Sequence, residues 1–208
     1  MKKIAIVAIS VIVTSIMLIF TFGNPLSKAK DVVGAENASP KDVIFEGKTH
    51  SFETLKELEK ETSIIVRGSK IEEEGAVISR SEIDGSVNNG YTKTIFNIDE
   101  VYKNNDNNEQ IKSGNKIIIS EPAYYDKETN TTYRVNGYEN MVNENEYILF
   151  LIPVDEGMFS PRGVTFGKVP LNTKEIEAVR QINSYSNDDS LDIFINLFNE
   201  VREKYSDK

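Results

Sequence analysis

Glu146-Tyr147-Ile148-Leu149-Phe150-Leu151-Ile152-Pro153-Val154 is the most apolar run outside the N-terminal segment, and its reading decides the fold. Aromatic and branched side chains suit a pleated, buried surface, so the run reads as a central strand. On a sheet edge it would expose too much apolar surface. Both of its faces are therefore expected to be covered, by a second sheet, by helices or by closure of the sheet on itself.

Working upstream, Asn143-Glu144-Asn145 delivers the chain into this strand, and Asn136-Gly137-Tyr138 breaks an earlier one, Thr132-Tyr133-Arg134-Val135. That segment returns from Ala123-Tyr124-Tyr125 through a turn over Asp126–Asn130. Lys116-Ile117-Ile118-Ile119-Ser120 is a further buried strand, read as running on into Ala123-Tyr124-Tyr125, and Ser113-Gly114-Asn115 is the turn before it. Earlier still, Tyr91–Ile98 alternates, with Thr94, Phe96 and Ile98 on one face and Val101 and Tyr102 as its continuation. Ile64-Ile65-Val66-Arg67-Gly68 opens the first strand, and Gly75 before Ala76-Val77-Ile78 marks a bend within it. Asp84-Gly85 and Asn88-Asn89-Gly90 supply the reversal that makes these two segments an antiparallel pair.

Downstream, Gly157–Pro161 reads as a loop and Gly163–Val169 as a last strand, with Val164, Phe166 and Lys168 sharing a side. The period then changes. Asn172 with Glu175 resembles a capping box before Ile176, Val179 and Ile182, and Asp189 or Ser190 starts a second helix bearing Leu191, Phe194, Ile195, Phe198 and Val201. A short helix capped by Ser51, with Phe52, Leu55 and Leu58 on one stripe, precedes the strands. About six strands joined by reversals, with helices at the end, make an α+β chain.

At the N-terminus, Lys2 and Lys3 precede an apolar segment from Ile4 to Phe22. Its nineteen residues match the hydrocarbon thickness and favour an uncleaved single-pass helix, whereas Ser27 and Ala29 form an A-x-A-like cleavage pattern. In either case the lysines stay in the cytoplasm and the chain beyond residue 30 is exported, anchored by this helix or secreted after cleavage. Residues 24–44 read as a polar tether.

The 24 Lys and Arg against 33 Asp and Glu give a net charge of −9. Residues 1–29 hold three lysines and no acid, so the remainder has 21 bases against 33 acids, a balance of −12. That sign repels phosphate backbones and argues against nucleic acid as a partner. With no cysteine, there are no disulfides, thiolate nucleophiles or cysteinyl zinc sites. His50 is the only histidine, beside the first helix, and belongs to no recognised catalytic constellation. The acidic loops Asn104–Glu109 and Asp126–Asn130 lack the spacing of a calcium loop, and no glycine-rich phosphate loop is present. No catalytic, cofactor or metal residue is assigned, and no small-molecule ligand is identifiable. Tyr124, Tyr125, Tyr133 and Tyr138 cluster around one expected hairpin. They are the candidate partner-binding residues, since exposed tyrosines serve recognition well, although strand alternation turns about half of them inward.

The succession Ile-Ile-Val-Arg-Gly, Thr-Ile-Phe-Asn-Ile-Asp-Glu-Val-Tyr-Lys, Gly-Asn-Lys-Ile-Ile-Ile and Asn-Glu-Tyr-Ile-Leu-Phe-Leu resembles a group of exported bacterial proteins, most of them uncharacterised. That group lies near the OB-like barrels of the netrin and metalloproteinase-inhibitor type. The resemblance covers residues 50–169. Asn145 stands where the group often has Gly, and the inhibitors' mechanism, an N-terminal cysteine on zinc, has no counterpart here. The resemblance implies an antiparallel OB-like β-barrel between the short first helix and two C-terminal helices. The expected division is a signal or transmembrane anchor at 1–23, a tether at 24–44, the barrel at 45–171 and a packed helical extension at 172–208. The expected function is non-catalytic binding of a protein or peptide of the bacterial cell envelope. An envelope hydrolase using a carboxylate pair, and a membrane-anchored sensor or scaffold, are the alternatives.

Overall fold

The computed structural model describes residues 39–105, 107–175 and 189–206. In chain order its elements are β1 (Lys41–Phe45), α1 (Leu55–Lys60), β2 (Ile64–Arg80), β3 (Val87–Asn104), β4 (Lys116–Glu121), β5 (Ala123–Asp126), β6 (Thr131–Val135), β7 (Glu146–Pro153), a 3-10 turn (Asp155–Gly157), β8 (Phe159–Pro161), β9 (Lys168–Pro170) and α2 (Asp189–Tyr205). Strands dominate, and helices flank them. The apolar segment Ile4–Phe22 lies outside the described residues, as does the body of the helix expected after Asn172. Its start is seen at Thr173–Glu175, with the Asn172 side-chain oxygen accepting from the Lys174 N–H at 3.0 Å. Among the described residues no helix is long and apolar enough to cross a membrane.

Five strands close a ring. β2 pairs with β3, β3 with β4, β4 with β8, β8 with β7, and β7 returns to β2; every pairing is antiparallel except β4 with β8. β7 is the hub of this arrangement, taking β2 on one side and both β8 and β9 on the other. Its period-two alternation serves two cores. Tyr147, Leu149 and Leu151 face the ring interior with Val66, Phe96, Ile98, Ile117, Ile119 and Phe159. Ile148 and Phe150 face outward, into a second core built with Phe52, Leu55 and Leu58 near α1 and Ile195, Leu197, Phe198, Val201 and Tyr205 of α2. One apolar run thus has both faces covered, one by closure and the other by helices.

Four features differ from the sequence reading. β1 takes up the last four residues of the stretch read as a tether, together with Phe45, and runs parallel to β6, a pairing of distant segments that no local pattern announces. Thr54, not Ser51, caps α1: its hydroxyl accepts from the Glu57 N–H at 3.3 Å, and the Glu57 carboxylate reaches back to the Glu53 N–H. Pro122 divides the run expected from Lys116 to Tyr125, so that β4 stays in the ring and β5 joins β6 and β1 in a separate three-stranded sheet. Finally, the loop expected over Gly157–Pro161 contains β8, and the strand expected over Gly163–Val169 is a turn followed by the short β9. Gly163 and Val164 both have positive φ, 63° and 61°. The chain leaves β7 at Arg162, whose N–H bonds the Phe150 carbonyl at 2.8 Å, and rejoins it at Gly167, whose carbonyl accepts from the Phe150 N–H at 2.9 Å. A Cβ on Gly167 would lie 2.3 Å from the Arg162 nitrogen, so the closure of this excursion requires glycine.

Candidate functional site

Along three strands of the ring, β2, β3 and β4, the inward face passes from apolar to polar toward the same end. β2 places Val66 and then Lys70 inward, β3 Ile98 and Phe96 and then Thr94 and Thr92, β4 Ile117 and Ile119 and then Glu121. The polar end is a closed network. Glu121 is fully buried and accepts from the Thr94 hydroxyl (2.5 Å), the Met141 N–H (2.7 Å) and the Tyr138 hydroxyl (3.0 Å). Lys70, 1% exposed, lies 3.5 Å from the same carboxylate and donates to the Met141 carbonyl and to Glu73. Three hydrogen-bond donors and a neighbouring ammonium around one carboxylate are what a buried acid requires.

Lys168 of β9 closes the network from the side. Its ammonium sits 4.3 Å from the centre of the Tyr138 ring and donates to the Glu139 carbonyl. Burial pushes its pKa down from 10.5 to about 8, a fall that the acids Glu121, Glu175 and Glu139 oppose and Lys70 reinforces. Tyr147, at the same end, bonds Glu175 at 2.9 Å and accepts from the Val142 N–H. Burial, and then the neighbouring Glu121, hold the Tyr138 hydroxyl well above its ordinary range.

Next to this network the β5–β6 hairpin faces the outer half of β2. The turn between β5 and β6 uses Asn130 at a φ of 49°, and alternation then sorts the hairpin's side chains. Tyr124, Asp126 and Tyr133 share one face, and Ala123, Tyr125, Thr132 and Arg134 the other. Phe45 of β1, Tyr133 and Tyr124 form a continuous stack, with centroid separations of 5.5 and 5.2 Å. Tyr124 lies so close to the backbone of Gly90 that a Cβ there would stand 2.7 Å from its ring. Arg80, from the end of β2, bonds Asp126 (2.7 Å) and Glu128 (3.0 Å). Burial would raise the Asp126 carboxyl, but hydrogen bonds from Thr129, Arg80 and the Glu128 N–H outweigh it and hold the pKa below its usual range. Arg134 bonds Asp42 of β1 and Glu139.

A cleft of about 790 Å³ lies between these parts. Gly75, Ala76, Ile78 and Arg80 of β2 form one wall and Ala123–Asp126 of β5 the other, with Thr92 and Asn140 among the residues that also line it. The side-chain oxygen of Asn140 is buried without a hydrogen-bond partner. Mixed charge and two tyrosines suit the cleft to a polar, extended ligand.

Of the four tyrosines singled out from the sequence, Tyr124 and Tyr125 line the cleft. Tyr125 is the exposed one, at 41%, with its hydroxyl bonded to Asn130. Tyr133 is half-buried in the ring stack. Tyr124 and Tyr138 are buried and offer a partner little or no surface. Arg80, Arg134 and Asn140 escaped sequence reading because they come from three separated segments with no common spacing. Glu121 did leave a signal: it continues the inward alternation of Ile117 and Ile119, where an acid must find partners. His50 is exposed, stacks on Phe52 at 4.6 Å and lies 3.7 Å from Glu57. Among the described residues no three His, Asp or Glu side chains converge as a metal site requires. A hydrolytic carboxylate pair needs one acid held neutral, whereas Asp126 and Glu128 share the Arg80 guanidinium. No family model matches the chain, and no curated protein matches it.

Proposed function

We propose that this chain is a non-catalytic binding module of the bacterial cell envelope, built on an OB-like barrel and presented outside the membrane by its N-terminal apolar segment. The cleft between the β5–β6 hairpin and β2 is the observation that carries the reading. It has the size of a recognition site, and its polar side chains are already paired with one another, which suits binding more than proton transfer. The strand order supports the OB-like reading, because five strands closed by a single parallel pairing fit a Greek-key barrel of that class. The basic start and apolar run of residues 2–22 support export.

The partner is an envelope protein or peptide. A photo-crosslinking residue in place of Tyr125, in chains made by intact cells, is expected to yield a discrete adduct that weakens when Arg134 is replaced by Ala. An adduct pattern indistinguishable from that of a probe at Lys56, on α1, removes the reading. Fractionation of the same cells distinguishes an anchored chain from one shortened and released.

A further inference from the structure

We propose that the outer edge of β2, from Ala76 to Arg80, is an acceptor for an extended, basic peptide strand that belongs to the partner and fills the cleft by adding to this edge. The inference rests on the binding-module reading and specifies the partner's chemistry.

β2 is one strand of 17 residues with two different edges. Its inner edge is paired with β3 along nearly its whole length. Its outer edge is paired with β7 from Ile64 to Ser69, and Lys70 continues that ladder through backbone bonds with Glu144 and Asn145. From Ile71 to Arg80 the outer edge pairs with no strand among the described residues. A strand edge left in this state offers a row of N–H and C=O groups for pairing, and proteins usually blunt it with charge, bulges or a cover. Here only part of it is blunted. Glu72, Glu73 and Glu74 carry charge, and Gly75, at a φ of 121°, sits at a break in register. From Ala76 to Ser79 the register with β3 is regular, the residues carry no charge, and Ala76 and Val77 are exposed.

That unguarded stretch supplies Ala76 and Ile78 to the β2 wall of the cleft, with Ala123–Asp126 opposite. A peptide strand adding to β2 gains main-chain bonds there, the mode of recognition in which backbone supplies affinity and alternate side chains supply choice.

Charge selects the occupant. The two arginines at the cleft are already matched, Arg80 by Asp126 and Glu128 and Arg134 by Asp42 and Glu139. Lys127 is a third base of the lining, but the lining acids number four, Glu73, Asp126, Glu128 and Glu139, and Glu72 and Glu74 adjoin Glu73 on β2, so acid is in excess and a strand carrying Lys or Arg at its end is favoured. The same excess disfavours a second copy, since two chains that each carry −12 beyond residue 29 repel.

The test uses the full chain in mild detergent and a labelled seven-residue peptide that alternates valine and threonine between two terminal lysines. Saturable binding is expected, at least ten-fold weaker when the lysines are replaced by glutamates. Methylation of alternate backbone nitrogens in one phase is expected to abolish binding, and in the other phase to leave it, because a strand presents its N–H groups alternately to its neighbour. Ala76→Lys, at an exposed position, is expected to weaken binding ten-fold or more with an unchanged circular dichroism spectrum. Equal binding of the two methylated phases, no saturable binding of the basic peptide, or pairing of two copies that excludes the peptide each overturns the proposal. Capture at Tyr125 that persists in Ala76→Lys overturns the edge and leaves the binding module standing. Peptide binding without any capture in cells supports the edge and removes the envelope partner.

Discussion

The two halves of β2 are built on one continuous backbone and differ in everything else. From Ile64 to Ser69 the strand lies between β3 and β7, with Ile64 and Val66 in the ring interior and Ile65 in the helix-side core. From Ile71 to Arg80 it pairs with β3 alone among the described residues, and its residues are exposed except for the half-buried Ile78 and Arg80. Lys70 marks the division: its side chain turns into the ring while its backbone makes the last bonds of the outer ladder. The contrast teaches that strand formation and burial are separable. A hairpin partner suffices to hold the outer half, so its outer edge has no strand partner among the described residues.

The largest expected effect comes from placing the same charge in each half. Val66→Asp buries an unpaired carboxylate among Ile64, Phe96 and Leu149, and a cost of several kcal/mol consumes much of a domain's stability. Val77→Asp, at a position 40% exposed, is expected to stay within about 0.5 kcal/mol of wild type. Urea unfolding of the two variants measures the difference, and equal destabilisation breaks the comparison. Phe150→Asp extends it to β7 and is expected to prevent folding through the helix-side core, where Phe150 meets Tyr205 edge-on at 6.0 Å.

An intermediate effect is expected at the dividing residue. Lys70→Met leaves Glu121 buried without its cation, a change that costs about 3–5 kcal/mol in comparable buried pairs. Adding Glu121→Gln is expected to restore part of that loss, because an amide oxygen in the place of Oε2 still accepts from Tyr138 and the Met141 N–H, while the amide NH2 in the place of Oε1 donates to the Thr94 hydroxyl oxygen. If the double variant is no more stable than Lys70→Met alone, the polar end of the ring is not held by this pair.

The smallest effect is a dependence on pH. Lys168 binds its proton less tightly in the folded chain, with a pKa of about 8, than in the unfolded chain near 10.5. Between those values the unfolded chain carries more protons, so stability from this group rises with pH; below about 8 both states are protonated and the contribution is flat. Thermal unfolding between pH 8 and 9.5 is expected to gain more in the wild type than in Lys168→Met. The range stops there because the buried Tyr138 hydroxyl resists ionisation and reverses the trend at higher pH.

Local pattern made much of the fold legible. Glu146–Val154 is a strand covered on both faces, Gly75 is a bend in a long first strand, and Leu191, Phe194, Ile195, Phe198 and Val201 lie on a real helix, α2. Each of these rests on neighbours two to four residues apart, the range over which periodicity operates. The site was far less legible. The hairpin was read correctly, yet only Tyr125 of its tyrosines is exposed, because the stack from Phe45 to Tyr124 and the bond from Tyr138 to Glu121 absorb the others. Those absorbing partners lie 9 to 88 positions away in the chain.

The sequence by itself determined the strand alternation, the acidity of the region beyond residue 30, and the absence of cysteine chemistry. Tertiary structure decided which alternating face became ring interior, where Pro122 sends the chain into a second sheet, and that β2 outruns β7 and, among the described residues, keeps an unpaired edge beside a cleft. The physical reason is the range of the interactions. Propensity and periodicity act between near neighbours, whereas register and edge exposure depend on which distant strand arrives, and where it stops.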